Sequence, residues 1–534
     1  MNFEEVIRKN PRERMKLEKF PLDILLEVNQ LKEKGYESIP EEDMVRLQWW
    51  GLYHDKPRLG YFMLRVKIPN GILKPNQLRA IGEISKEYGK NYVELTTRQN
   101  IQLHWIRLED ILDVFEKLCS EGLTTAGGCG DIPRNITGCP VAGVSKEELF
   151  DASLTVKELA EFLYGNRDYS NLPRKHKITV SSCIYQCNAP EIHCIALIGV
   201  IKDGRKGYTY RIGGGLSSSP RISKHLPIFV DIKDAVRVTK AIIDVWKDNL
   251  KYRLSFARAR LKFMLDDYSV DQIRIWIEEK LGEKLEDYNF LPKPLYPTAH
   301  PHLGLKEQKD GRYYLGIPVL AGLVTGDQLI KLSDLVEKFD GDIRITMQQN
   351  LIVTGIPDGE KFKEKVKEIG FKLDLPEMKK VSIACTGDPY CNYSVGETKL
   401  ALIEILNHLE KKGLMLEDIR INLDGCPHAC AHHWLGDIGL QGTTLRTPDG
   451  VVYAFDILLG GGYASNANIA RVVARRVPAS LVKFWIENFL KFYLKERREG
   501  ERVRDFISRY SNEELVRIMS NNDERAKQHI ARGG

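Results

Sequence analysis

The chain has 534 residues, with 43% hydrophobic and 28% charged side chains, which leaves room for three or four domains of roughly 150 residues each. This composition excludes a disordered chain, a collagen and a coiled-coil rod. The net charge of +6 is too mild to argue for nucleic acid, and suits an anionic substrate, an anionic cofactor or an acidic partner protein.

The amino-terminal segment MNFEEVIRKNPRERMKLEKF is charged throughout and lacks the apolar core of an export signal. The longest apolar stretch, near residues 192–201, falls far short of the roughly 20 residues that a membrane helix needs. A cytoplasmic enzyme without a membrane span is therefore expected. Residues 61–106 then read as strand, helix, strand. Phe62, Leu64 and Val66 alternate, Leu78, Ile81 and Ile84 recur at helical spacing, and Ile101 and Leu103 alternate again. Residues 313–356 repeat the pattern, with Gly322 for Gly71, Leu329 for Leu78, and Gln349-Asn350 for Gln99-Asn100. Such a repeat predicts two related halves about a pseudo-twofold axis, a natural place for a large ligand. Each unit precedes an α/β segment, and the two segments look alike: KITVSSCIYQC beside RINLDGCPHAC. Residues 287–312, rich in Pro, Gly and aromatic residues, read as the linker between halves. The charged tail from about residue 480 reads as a packing helix.

The expected class is α+β, internally duplicated and three-domain, with ferredoxin-like half-domains and two mixed α/β domains. Residues 1–124 hold the amino-terminal segment and first half-domain, and 125–290 the first α/β domain. Residues 291–374 hold the linker and second half-domain, and 375–534 the second α/β domain. The half-domains form one composite unit, with cofactors at the junction of all three.

Ten cysteines in a long chain without an export signal point to metal or redox chemistry rather than disulfides. Cys385 and Cys391, with five residues between them, are followed by Cys426 and Cys430. Leu402, Ile405, Leu406 and Leu409 mark a helix after Cys391 that ends near Gly413. Pro427 favours a helix start, which would stack Cys426 and Cys430 one turn apart. Four thiolates are what an iron–sulfur cube requires. Structural zinc is the rival, although zinc pairs more often enclose two to four residues.

CTGDPYC followed by GCPHACAHHWLGDIGLQG resembles the cluster motif of the sirohaem and [4Fe–4S] nitrite/sulfite reductases. WWGLYHDKP, YFMLRVKIPNG, LTTRQNIQLHWI, NLPRKHK and GGGLSSSPR follow the family order, so the resemblance spans nearly the whole chain. It implies that Cys385, Cys391, Cys426 and Cys430 hold a [4Fe–4S] cluster, and that Cys430 also bridges to the sirohaem iron. It implies a pocket of Arg98, Arg134, Lys175 and Lys177 for nitrite or sulfite. Arg presents a planar charged fork to oxyanion oxygens, and a crowded Lys can surrender protons. Arg98 aligns with Gln348 of the second repeat, so one half alone carries that charge. Sirohaem carries eight carboxylates, for which Arg211, Arg221, Arg258, Arg260 and Lys262 are candidates, although the run RARARLKF reads equally as a solvated strand or helix face. Gln99, Asn100, Gln102 and His104 could reach carboxylates or backbone. Lys177 is a cation where plant-type nitrite reductases carry a neutral residue, which leans towards sulfite, whereas NPRERMKLEKFPLDI and MLRVKIPNG resemble nitrite reductases equally, so both anions stay open.

Cys183 and Cys187 repeat the spacing of Cys426 and Cys430, and Cys129 falls near the place of a partner for Cys385. With no clear fourth thiol in register, ancestral echo or packing is expected rather than a second cluster. Some sulfite-reducing relatives link a pocket cysteine to the tyrosine of their YFM-like motif, and the resemblance assigns such a crosslink to Tyr61 and Cys129. GGGLSSS and LGGGYAS lack the strand–GxGxxG–helix context of a dinucleotide site. A ferredoxin or similar acidic donor docking on basic surface is therefore expected, with a separate flavoprotein subunit as the alternative and the enzyme a monomer. The competing class is a non-haem iron–sulfur carrier or a zinc-stabilised binding protein, neither of which needs the cationic set.

Overall fold

The computed structural model describes residues 2–56, 60–296, 299–448 and 450–521. The two repeats form one unit built by strand exchange. The first sheet runs in the order Leu52–His54, Tyr61–Val66, Ile101–Arg107, Val93–Leu95 and Leu323–Val324, and its last strand comes from the second repeat. The second sheet runs Gly304–Glu307, Tyr313–Ile317, Leu351–Ile356, Ile343–Ile345 and Ile72–Leu73, and its last strand comes from the first repeat. Leu323 pairs with Glu94, and Ile343 with Leu73. Leu64, Val66, Ile101, Ile345, Leu351 and Val353 share one apolar core. Each repeat also holds a short strand that the periodicity passes over, Val93–Leu95 or Ile343–Ile345. Three residues are too few to show an alternation.

The glycines shared by the repeats have a steric reason. Gly71 and Gly322 sit at φ +69 and +68, a region open mainly to glycine. A Cβ on Gly71 would stand 2.7 Å from the Ile345 carbonyl oxygen, and one on Gly322 2.9 Å from that of Leu95. The strand exchange therefore needs glycine at both positions.

The two α/β lobes share a frame. The first lobe's sheet runs Glu286–Asp287, Lys224–Asp231, Arg205–Ile212, Ile195–Lys202, Ile178–Ser181 and Thr137–Gly138. The second lobe's sheet runs Ile383–Ala384, Ile421–Asp424, Ile438–Thr447, Gly450–Leu459 and Arg471–Pro478. In each, three neighbouring strands pair in parallel and the rest in antiparallel. Helix Ala235–Lys247 buries Val238, Ile242 and Val245 in the core under the first lobe's sheet, the stripe of a half-buried helix. The tail helix Ala479–Glu496 buries Trp485, Ile486, Phe489 and Leu490 in the second lobe's core. Among the described residues, no helix is long and apolar enough to cross a membrane.

The expected helix after Cys391 forms as Lys399–Lys411, and Gly413 follows it at φ +68. The helix expected from Pro427 does not form: residues 425–431 are turns and bends. The Asp424 carboxylate organises this loop instead, accepting the Ala431 N–H at 2.7 Å and the His433 N–H at 3.0 Å. Ala429 takes φ +56 within it. A carboxylate that collects these N–H groups outcompetes the helical turn.

Candidate active site

The composite unit and both lobes meet at a cleft of about 1600 Å³ including its mouth. Arg65, Arg98, Asn100 and Gln102 line it from the composite unit, and Arg134, Arg174, Lys175 and Lys177 from the first lobe. Cys385, Cys391, Cys426 and Cys430 line it from the second lobe, and Arg12 reaches it from the amino-terminal segment. Glu94 is the one carboxylate among the described lining residues, so the electrostatic character is strongly positive.

The sheets fix the cations. Lys175 and Lys177 lie two residues apart just before strand Ile178–Ser181, so both reach the same side. Neither ammonium has a hydrogen bond or ion pair among the described residues. Burial first, then Arg174 and Arg134, lowers Lys175 to about 7. Burial and Arg98 lower Lys177 well below its ordinary value. The Arg98 guanidinium donates to the Asn135 carbonyl and, at 2.8 Å, to His193 Nε2. His193 Nδ1 lies 2.8 Å from the Ala189 carbonyl oxygen, which keeps the proton on Nδ1 and leaves Nε2 to accept. Burial beside Arg134 lowers Arg98 to about 9. Arg134 donates to the Gly130 carbonyl at 3.0 Å. Asp131 holds two more cations, accepting from Arg12 at 3.2 Å and Arg174 at 3.0 Å. Against the upward pull of burial, Lys16, Arg174 and Arg12 hold its carboxyl low, at about 2.

The thiols are tied to the cations. The Thr97 hydroxyl donates to the Cys430 carbonyl at 2.7 Å, which fixes the Arg98 turn to the Cys430 turn. The Gly425 N–H donates to Cys385 Sγ at 3.2 Å. Burial first, then neighbouring negative groups including Cys430, raises Cys385, Cys391 and Cys426, with Cys391 reaching about 11. Bound cationic metal is what reverses such crowding. Among the described residues, Cys139, Cys187 and His302 are the one set of three ligand groups whose atoms all lie within 4.8 Å of one another. No three of the four cleft thiols do. A single zinc with bonds of about 2.3 Å brings its sulfurs to about 3.8 Å apart, so this wider spread favours a polynuclear centre.

The other sequence candidates fall into two groups. Asn100 and Gln102 line the cleft. Gln102 accepts from Arg65 Nη2 at 2.6 Å and donates to Thr386 Oγ1 at 2.8 Å, so it orients a cation. Asn100 Oδ1 accepts the Ile68 N–H at 3.1 Å. Gln99, His104, Arg211 and Arg221 lie outside the lining. Gln99 donates to the carbonyls of Gly138 and Ile345 at 3.1 and 3.0 Å. His104 is buried 3.5 Å from Glu94, with its ring 4.3 Å from Tyr390. Arg211 binds Ser223 at 2.8 Å, and Arg221 pairs with Asp266 at 3.0 Å. Arg260 and Lys262 are buried nearby, Lys262 on the Leu216 and Ser219 carbonyls.

Among the described residues no hydrogen bond joins Tyr61 to Cys129, whose partners are Tyr53 and Arg65. Tyr61 packs its ring 5.3 Å from Trp105. Tyr53 is the tyrosine that hydrogen-bonds Cys129, and burial beside that thiol raises it. Strand Leu52–His54 pairs Tyr53 with Met63, so Tyr53 stands over the cleft beside Met63 and Arg65. Sequence reasoning also missed Arg12, Arg65 and Arg174. The alternation of Met63 and Arg65 could have found Arg65, whereas nothing in the charged amino-terminal segment singles out Arg12.

The profile described as "Nitrite and sulphite reductase 4Fe-4S domain" matches residues 129–285 and 381–529. That described as "Nitrite/Sulfite reductase ferredoxin-like half domain" matches 54–120 and 306–363. The chain is 34% identical to an assimilatory ferredoxin-dependent nitrite reductase of Haloferax mediterranei, over 90% of this chain and 88% of that protein. It is 32% identical to "Sulfite reductase [ferredoxin] 1" of Mycolicibacterium paratuberculosis, over 95% and 96% of the two chains. The solved Mycobacterium tuberculosis NirA protein superposes with a TM-score of 0.90 at 29% identity, covering 95% of this chain and 97% of that one.

Proposed function

The chain belongs to the nitrite and sulphite reductase family, and from that premise we propose that it reduces nitrite to ammonia or sulfite to sulfide. Six electrons come from ferredoxin or a similar acidic donor, by way of a [4Fe–4S] cluster and sirohaem in the cleft. One observation carries the reading: four thiols face a pocket holding Arg98, Arg134 and two lysines that have no ion pair among the described residues. An electron carrier or zinc-stabilised binding protein would not need those charges.

The residues fit both groups. The thiols stand too far apart for one ion and suit a cube. The cleft walls, cationic apart from Glu94, suit a macrocycle bearing carboxylates. Cys385, Cys391, Cys426 and Cys430 would hold the cluster. Cys430, the exposed one and the thiol whose charge acts on both Lys175 and Lys177, would be shared with the sirohaem iron. When bound, the pair supplies the electrons and the iron at which the oxyanion is reduced.

The chain's own groups do the rest. Arg98, held by His193 and the Asn135 carbonyl, presents a fixed fork to the anion's oxygens beside Arg134. Donors held in place before the reaction cost no reorganisation when negative charge moves onto those oxygens. Lys175 Nζ, at about 7, gives up a proton near neutral pH, which suits a general acid for oxygens departing as water. Lys177, lowered by burial and Arg98 in the empty cleft, would add a second ammonium once bound anionic groups draw a proton back onto it, which favours the more highly charged sulfite. Steady-state rates with reduced methyl viologen test the reading. Turnover is expected with both anions, with kcat/KM higher for sulfite. Failure to turn over either anion by protein bearing its chromophore would contradict it.

A further inference from the structure

The first lobe carries its own cysteine array at the counterpart of the cluster position. Strand Thr137–Gly138 pairs in parallel with Ile178–Ser181, as Ile383–Ala384 pairs with Ile421–Asp424. Cys139 and Cys385 directly follow the first strand of each pair, and Cys183 and Cys426 lie two residues past the end of the second. Cys187 then matches Cys430, four residues on. Cys139, rather than Cys129, is thus the partner of Cys385. At the place of Cys391 the first lobe has Ser145, whose hydroxyl bonds Glu147 at 2.7 Å. The linker supplies a ligand type of its own: His302 Nε2 stands 3.1 Å from Cys187 Sγ.

We propose that Cys139, Cys183, Cys187 and His302 bind one structural zinc ion. Cys139, Cys187 and His302 bring their ligand atoms within 4.8 Å of one another. Cys183, hydrogen-bonded to Cys139 but outside that 4.8 Å set, would move in as the fourth ligand. All four are buried, none more than 4% exposed. Zinc takes thiolate and imidazole ligands in a closed tetrahedron with bonds of about 2.0–2.3 Å, and the three mutually close groups need only a small contraction to reach it. Plain packing accounts for buried cysteines, but not for a buried histidine brought from a distant linker onto one of them. Binding would release the thiol protons to solvent and pin residues 299–304 to the first lobe. Zinc carries no electrons, so it would not divert any from the cluster opposite.

Metal analysis of the intact enzyme tests this. Protein from medium containing both metals is expected to keep zinc at one ion per chain through dialysis against EDTA. Zinc-edge absorption spectroscopy is expected to show three sulfurs and one nitrogen. Cys187→Ser and His302→Ala should each lose the zinc while keeping iron content and visible absorption. Should either variant fail to fold, the wild-type stoichiometry and ligand set decide alone. Absence of zinc overturns the proposal, as does iron at twice one cluster's complement, which means a second cluster. A mass two hydrogens low on a peptide pair joining these cysteines, which means a disulfide, overturns it too. So does zinc that EDTA removes, or that Cys187→Ser retains.

Discussion

The two lobes hang cysteines from the same pair of parallel strands, yet the arrays differ in spread and in company. In the second lobe the thiols open onto a cleft and stand too far apart for one ion. In the first lobe they are buried, and two of them close with His302 to within 4.8 Å. The charges diverge in the same way. Arg98 has Gln348 as its counterpart, and Lys175, three residues before strand Ile178–Ser181, has Asp418, three before Ile421–Asp424. Asp418 is exposed and pairs with Arg497 at 3.1 Å. What the halves share is structural instead. Gln349 binds the carbonyls of Leu95 and Ala384 at 2.9 and 3.0 Å, as Gln99 binds those of Ile345 and Gly138. Asn350 accepts the Val319 N–H at 2.8 Å, as Asn100 accepts that of Ile68. Duplication thus preserved the frame, and a handful of side chains turned one copy towards chemistry.

Exchanging residues between the copies probes that difference. Cys391→Ser gives the second lobe the residue of the first, and is expected to abolish both cluster iron and turnover, read by iron analysis and viologen oxidation. Arg98→Gln imports the second repeat's residue, and removing such a preorganised donor should lower kcat by about 10²–10³. Gln348→Arg should leave turnover unchanged. Lys175→Arg probes the proton source. The Lys175 ammonium is charged below about 7 and neutral above it, so its attraction for an anion is lost as pH rises through that value. Bound anionic groups move the value upward. An arginine stays charged, so the alkaline fall of kcat/KM should move to higher pH while the maximum rate drops. The smallest effect belongs to the shared glutamines. Gln99→Ala and Gln349→Ala should each cost about 1–3 kcal/mol by leaving buried backbone groups unpaired, read by denaturant unfolding. A loss confined to sirohaem content in Gln99→Ala would instead make that residue a cofactor ligand.

The duplication, the α+β class and the element order were legible because alternating strands and helical apolar spacing leave strong periodic marks. The cysteine spacing pointed to the cluster position, and the arginine and lysine motifs to the cleft. Strand exchange was not legible, since Ile72–Leu73 and Leu323–Val324 are two residues each. The places of Arg211 and Arg221 outside the cleft lining were not legible, because side-chain partners such as Ser223 and Asp266 leave no mark in a local pattern. Tyr53 hid for a similar reason: its approach to Cys129 comes from strand pairing. The turn around Asp424 defeated the Pro427 signal because a side-chain cap outcompeted backbone propensity.

The most direct test of the central claim, that the cleft holds a cluster and sirohaem together, is the iron content and visible spectrum of the anaerobically purified protein. The account predicts about five iron atoms per chain, four for a cube and one for a haem, with a Soret band and a far-red chlorin band. Broad iron–sulfur absorption alone, with about four irons, or a colourless protein would contradict it.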